Sequence, residues 1–323
     1  MIIKDRVYGE EIIDEDVLID LINSKPIQRL KKISQWGMPE EYYHKNSFSR
    51  YDHSIGVLVL LRRLNAGLDE QIAGLLHDVS HTAFSHVVDW VMGDPLKEDY
   101  QDKIHLKIIE NSEIPFILER HGFDYRKISE VERFSLLEKP SPGLCADRID
   151  YALRELETEK EHCFVKSIFL DLTVRNNQIV FKSKEIAELF GKEYARLNNE
   201  HWAGKEARAR YYILANILKK AIERKIISKK HLNLTDYEVI EMLYEKGDDE
   251  ILNGLELLKK GFKIHESDSE GILLKKKFRY IDPEILFEEG VACLSEISED
   301  YKFMLDEEKK NSGFDKYFLI LDN

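Results

Sequence analysis

The segment Leu75-Leu76-His77-Asp78-Val79-Ser80-His81-Thr82-Ala83-Phe84-Ser85-His86 places imidazoles and a carboxylate close together in an apolar stretch. An adjacent His-Asp pair is costly to bury unless something pairs with the carboxylate and uses the ring. A divalent metal does both, because neutral imidazole and carboxylate ligate the borderline cations that activate water. The plain alternative is a core hydrogen bond between the two, and the histidines that follow weigh against it. His81 comes four residues after His77, one helical turn, so both rings can face one cavity. Upstream, Ser49-Arg50-Tyr51-Asp52-His53 opens the apolar run Ile55 to Leu61, and downstream Ala146-Asp147-Arg148 opens another helical stretch. His53, His77, Asp78 and Asp147 together offer two imidazoles and two carboxylates. That set leaves coordination positions for water and a phosphate oxygen.

The elements that must position these residues read as helices. Apolar residues recur at helical spacing from Val17 to about Ala152 (Ile27, Leu30, Ile33; Ile55, Leu58, Leu61; Ile72, Leu75, Leu76, Val79). Asp69 is read as the N-cap of the helix that carries His77. Ile168–Val174, Asn176-Asn177 and Gln178–Phe181 read as a β-hairpin. Helix resumes over Lys184–Lys229 and Asp236–Lys259, strands are expected at Leu274–Tyr280 and Lys316–Leu321, and a turn at Glu307–Gly313. The fold expected is mainly α, with a helical core over 1–165 and a smaller mixed α+β part over 166–323.

Composition sets further bounds. With 323 residues, 43% hydrophobic, the chain can bury a sizeable core. A net charge of −13 argues against a sequence-independent grip on nucleic acid, which needs a positive face. An anionic substrate would instead need a local basic pocket, for which Arg50, Arg148, Arg208 and Arg210 are candidates. For the last two, ordinary helix-surface charge is the alternative. Cys145, Cys163 and Cys293 are scattered, without a metal-knuckle or disulfide spacing. No apolar run approaches membrane-spanning length and the N-terminus lacks a signal-peptide pattern, so a cytoplasmic protein without a membrane role is expected.

The order H…HD…D resembles that of the HD-domain metal-dependent phosphohydrolases. The flanking words resemble the dGTPase-like branch that includes the SAM- and HD-domain dNTP triphosphohydrolase. Residues 26–37 are similar to that branch's PxxQRLxxIxQxG, Ser49–Val57 to NRFEHSLGV, Leu75–His86 to LLHDxGHxxFSH, and Ala146–Glu155 to ADRxDYxxRD. A fainter likeness runs through Lys166–Glu185 and Leu274–Pro283.

The resemblance implies an HD-type helical core and a divalent metal (Fe, Mn, Ni, Zn or Mg) on His53, His77, Asp78 and Asp147. It implies that His81 and His86 face the scissile phosphate, that His105 stands near the leaving group as general acid, and that Asp147 orients the water. It also places Gln35 and Arg50 against phosphate and nucleoside, with Arg148, Tyr151 and Glu155 on the Asp147 helix. A nucleotide substrate and a homo-oligomer, dimer or higher, follow from the same likeness. Departures are Ser80 in place of the family's glycine and His105-Leu106 in place of His-Glu. The family's phosphate-binding word H-x-x-x-Y-x-H-K has no match in Glu206–Asn216, where Arg208, Arg210 or Tyr211 could substitute. Hydrolysis of a deoxynucleoside triphosphate is the leading expectation. The alternatives are a phosphatase of nucleoside monophosphates or small phosphoesters, and a non-catalytic nucleotide-binding module.

Overall fold

A computed structural model describes residues 1–267, 270–274, 277–288, 290–312 and 317–322. The fold is mainly helical, with a smaller mixed sheet region toward the C-terminus. At its centre is the helix Arg50–Arg63, started by a capping box in which Asp52 N–H donates to Ser49 Oγ and Ser49 N–H to Asp52 Oδ2. Residues His53 to Leu61 are all buried. A helix buried all round needs apolar or small side chains on every face, as Ile55-Gly56-Val57-Leu58-Val59-Leu60-Leu61 supplies. Packed against it are Leu68–Leu76, which leads into His77 and Asp78, and Ala146–Glu159, which carries Asp147.

The helix leading to His77 is capped by Gly67, and Asp69 and Glu70 lie inside its first turn. Asp69 is therefore not the N-cap; its carboxylate sits in the first turn, where the helix dipole favours negative charge. That helix also stops at Leu76. Val79 N–H returns to Leu76 O and His81 N–H to Asp78 O, so His81 follows a pair of tight turns and not a continued helix. Phe84 (φ 65°) and Ser85 (φ 43°) then adopt left-handed backbone, which is uncommon for residues with a Cβ. Contacts from the C-terminal half hold this turn: Phe84 N–H donates to Asp236 Oδ1 (2.8 Å) and Ala83 N–H to Leu232 O (2.7 Å). Asp236 Oδ2 also accepts from Ser34 N–H (2.8 Å), which ties the Gln35 loop to the His81–His86 turn.

Other expectations are corrected locally. Ile168–Asp171 belong to the helix His162–Asp171; the hairpin is Leu172–Arg175 with Gln178–Phe181, turned at Asn176-Asn177, both at positive φ. The expected long helix breaks at a five-residue π turn, Asn198–Trp202, and at Gly204, then ends at Glu223. A Cβ at Gly204 would lie 2.5 Å from Glu200 O, so the break needs glycine. Residues 307–312 are helical, within Glu299–Ser312, with Gly313 outside the described residues. Of the strand expected over Leu274–Tyr280, Lys275 and Lys276 lie outside the described residues and 277–280 have no regular structure. Tyr317–Asp322 is a strand, with Lys316 outside the described residues. A short N-terminal hairpin, Ile2–Asp5 with Gly9–Ile12, was not expected.

Two apolar clusters fill the interior, and both cross residue 165. One joins the three central helices to Phe181, Phe190, Tyr194, Ile281 and Tyr301. The other joins Met38, Tyr42, Phe84 and Val87 to the helices Lys205–Glu223, Asp236–Lys246 and Asp249–Lys260. Both halves of the chain thus wall the region between them, where the histidines gather. Among the described residues no helix is long and apolar enough to cross a membrane.

Candidate metal centre

His53 projects from the first turns of its helix, His77 and Asp78 from the turn after Leu76, and Asp147 from the first turn of Ala146–Glu159. Their donor atoms converge. His53 Nε2 lies 2.9 Å from Asp147 Oδ1, 3.2 Å from His77 Nε2 and 3.8 Å from Asp78 Oδ2. His77 Nε2 lies 3.4 Å from Asp78 Oδ1 and 3.6 Å from Asp147 Oδ1. Ligands about 2.1 Å from one cation stand roughly 3 Å apart when adjacent, so the spacings among His53, His77 and Asp147 suit a common centre. Asp78 stands beside two of them, outside the group whose donor atoms all lie within 4.8 Å of one another.

The backs of the rings fix which nitrogen faces inward. His77 Nδ1–H donates to Gly74 O (2.7 Å), and His53 Nδ1–H to Asp150 Oδ2 (2.8 Å). In the neutral rings both Nε2 lone pairs therefore point at each other and at two carboxylates. Such a set is repulsive until a proton or a metal ion sits between its members, and this donor chemistry fits a divalent metal. Protons compete for the same place. Burial opposes protonation of His77, but Asp78 and Asp147 outweigh it and push the ring up to about 9. Burial likewise works against charge on Asp147, yet His53 and His77 hold it well below the usual carboxylate range. Below pH 9, loading a metal must therefore displace at least one proton, so affinity should rise with pH. We expect about tenfold per unit per displaced proton between pH 6 and 8. Titration calorimetry in buffers of different ionisation enthalpy would detect the released proton; pH-independent affinity would contradict the ligand assignment.

Behind His53 runs a buried chain of charges absent from the sequence reading. Asp150 accepts from Arg154 Nε (2.8 Å), and Arg154 Nη2 reaches Asp5 Oδ2 (2.5 Å). Gly56 makes room for it, since a Cβ there would lie 1.7 Å from Arg154 Nη2 and 2.1 Å from Asp150 Oδ1. The legible signal was a charged pair at i, i+4 on the otherwise apolar face of Ala146–Glu159, beside Ile149 and Leu153.

The centre opens into a cavity of about 670 Å³ lined by His77, Asp78 and Asp147. Gln35, Arg50, His81, His86, His105, Arg148 and Tyr151 line it too. Arg50 donates to Asp78 Oδ2 (2.8 Å), Gln35 O (3.2 Å) and Ser85 Oγ (3.1 Å). Arg148 reaches Glu138 (3.1 Å) and Gly143 O (2.8 Å). His81 Nε2 stands 3.3 Å from Asp78 Oδ1; burial and the charge of Arg50 bring this ring down to about 3, so it is neutral.

Four residues lie outside the cavity wall: His53, fully buried behind the other ligands, and three of the candidate substrate contacts. Glu155 is buried behind it, accepting from His201 Nδ1 and from Trp202 Nε1 (2.8 Å), both delivered by the π turn. Arg208 donates to Leu274 O (2.6 Å) and lies over the Phe318 ring. Arg210 donates to Tyr42 O (2.7 Å) and Leu258 O (2.8 Å), and pairs with Glu206. These two arginines are engaged at the second apolar cluster, away from the cavity. Of the three possible substitutes, Tyr211 alone lines the cavity. Arg210→Ala strands two buried carbonyls and should cost about 2–5 kcal/mol by denaturant melt while leaving KM unchanged. A KM shift at unchanged stability would return Arg210 to the site.

Sequence and fold comparisons agree with this geometry. The HD domain family matches residues 50–154, which contain all four candidate ligands. The chain is 41% identical to the uncharacterized protein YdhJ of Bacillus subtilis over 94% of each chain. It is 32% identical to the metal-dependent phosphohydrolase cns2 of Cordyceps militaris, over 88% of this chain and 85% of that one. A Dictyostelium discoideum homolog of the deoxynucleoside triphosphate triphosphohydrolase SAMHD1 is more distant, 26% identical over 73% of this chain and 53% of its own. A phosphohydrolase structure from Bacteroides thetaiotaomicron shares the fold, with a TM-score of 0.65 at 19% identity over 100% of both chains.

Proposed function

The chain belongs to the HD-domain metal-dependent phosphohydrolases, and on that footing we propose that it hydrolyses a deoxynucleoside triphosphate, releasing the deoxynucleoside and inorganic triphosphate. The observation that carries this reading is the cluster of His53, His77 and Asp147, with Asp78 beside it, opening through His77, Asp78 and Asp147 into a cavity large enough for a nucleotide. Its wall also holds Arg50 and Arg148 for phosphate and Trp36, Tyr43, Tyr151 and Trp202 for a flat base and sugar. The likeness to the more distant SAMHD1 homolog supports the choice of substrate.

A divalent cation on His53, His77, Asp78 and Asp147 would neutralise a phosphate oxygen and acidify water. Two imidazoles and two carboxylates favour Fe²⁺, Mn²⁺, Ni²⁺ or Zn²⁺ over Mg²⁺. The chain's own residues do the rest. Arg50 and Arg148 offset phosphate charge, His86 faces the phosphoryl oxygens, and His81 supports Asp78. Asp147 orients the attacking water. His105 is set up to move a proton. Ser80 Oγ donates to Gln101 Oε1 (2.8 Å) and so accepts from His105 Nδ1–H (3.1 Å). That leaves His105 Nε2 a bare acceptor, buried and without a partner among the described residues. Burial, reinforced by the His77 charge, lowers this ring to about 4, so it is neutral before substrate binds. The negative charge of an arriving phosphate raises it, letting Nε2 take a proton and pass it to the leaving oxygen.

His105→Ala should leave the metal in place and lower kcat by about 10²–10⁴. Elemental analysis beside steady-state kinetics checks this; loss of metal would make His105 structural. A second reading, hydrolysis of a nucleoside monophosphate, draws support from the engagement of Arg208 and Arg210 elsewhere. Product analysis separates the two: triphosphate release supports the first, orthophosphate from a monophosphate the second. We further propose a homo-oligomeric assembly, on the resemblance to that branch; sedimentation analysis tests it.

A further inference from the structure

The polyphosphate reading requires cations beyond Arg50 and Arg148, and the helix expected to supply them does not. The cavity wall contains four others, Lys97, Arg126, Lys277 and Arg279, and the last two come from a segment more than 120 residues beyond the matched HD domain. Both donate to one oxygen, Glu98 Oε2: Lys277 Nζ at 3.2 Å, and Arg279 through Nη2. Within this group two cations share one carboxylate, so one positive charge of the trio is left without an anionic partner in it. Despite burial, Arg279, His86 and Lys277 hold Glu98 down at about 2, so it stays ionised.

The segment is fixed on both sides of Arg279. Lys277 Nζ also donates to Lys97 O (2.8 Å). Beyond Arg279, Tyr280 O accepts from Ser141 Oγ (2.9 Å), Asp282 N–H donates to Pro142 O (3.0 Å), and buried Ile281 takes the Tyr301 hydroxyl on its carbonyl (2.8 Å). Glu98 has left-handed backbone (φ 53°), a conformation that costs a non-glycine residue energy and persists where surrounding contacts impose it. Electrostatic neighbours of Arg279 include Tyr151 and Tyr194 as well as Glu98, and Tyr211 feels Arg50, Arg279 and Glu98 together. Tyr151 in turn adjoins Asp147. Arg279 thus lines the same cavity as Asp147 and Tyr151 while its guanidinium is held by Glu98.

We propose that Arg279, assisted by Lys277, binds the substrate phosphates beyond the metal-held one, and that Glu98 occupies their place until substrate displaces it. Glu98 then sets the preference for chain length: a short phosphate leaves the Glu98 contacts intact, and a longer one competes for them. The inference rests on the polyphosphate reading, so its test uses binding and not turnover. Metal-loaded protein is titrated by calorimetry with orthophosphate, pyrophosphate and tripolyphosphate. Tripolyphosphate should bind wild type more tightly than orthophosphate. Arg279→Ala should weaken tripolyphosphate at least about tenfold and orthophosphate little, with Arg279→Lys recovering part of the loss. Glu98→Gln should act in the opposite direction, tightening tripolyphosphate severalfold.

A latch with only a structural role gives a different result: both substitutions lower the melting temperature and change phosphate binding alike. That outcome overturns the proposal, as does equal binding of all three anions by wild type or no effect of either substitution. Should Arg279→Ala not fold, the opposed responses of Arg279→Lys and Glu98→Gln decide. If these binding results hold while no nucleoside triphosphate is cleaved, the substrate assignment falls and the anion site stands.

Discussion

Asp78→Asn is expected to abolish metal binding and hydrolysis together, with activity falling by about three orders of magnitude or more. The amide keeps the size of the side chain and removes the charge that faces both His53 and His77. It also removes the partner of Arg50, whose Nη1 lies 2.8 Å from Asp78 Oδ2 with both side chains nearly inaccessible. An uncompensated buried guanidinium should cost about 3–5 kcal/mol of stability. Added metal stabilises the state that binds it, so wild type should melt higher with metal than without, and the variant should show no such rise. Elemental analysis, kinetics and paired melts check the three parts. Full metal occupancy in Asp78→Asn would make Asp78 a structural hydrogen-bond partner.

The second large effect lies one layer further out. Asp150 does not line the metal-centre cavity, yet it orients His53 through Nδ1 and anchors Arg154. Asp150→Ala should weaken metal affinity by about 10–100-fold, because the imidazole loses the acceptor that fixes its tautomer. It should also cost about 3–5 kcal/mol, since Arg154 then keeps Asp5 alone. Gly56→Ala should act in the same direction by pushing Arg154 and Asp150 apart. A competitive metal titration and a denaturant melt measure both effects. Unchanged affinity in Asp150→Ala would show that the ring is held by packing.

The sequence made the centre legible because each ligand sits in a short word of unusual chemistry: a His-Asp pair in an apolar run, and a histidine or aspartate at a helix start. Helical spacing also placed Asp147, Tyr151 and Glu155 on one face, and they share it. What spacing could not show is what covers that face. The π turn at Asn198–Trp202 brings His201 and Trp202 against Glu155, so only the first two of the three reach the cavity. Arg208 and Arg210 lie away from the cavity for a related reason: the carbonyls that claim them, from Leu274, Tyr42 and Leu258, belong to elements far away in sequence. Glu98 and Arg279 are 181 residues apart, and no local pattern joins them. The His77–His81 spacing gave the right cavity through the wrong geometry. The helix ends first, and tight turns bring His81 to the same wall.

The most direct test of the account is to strip the protein of metal, reload it with Mn²⁺, Fe²⁺ or Mg²⁺, and incubate it with a mixed pool of nucleotides, following every species by mass spectrometry. The account predicts metal-dependent loss of deoxynucleoside triphosphates, with deoxynucleosides and inorganic triphosphate appearing in equal amounts. A pool in which no nucleotide changes with any metal would contradict it.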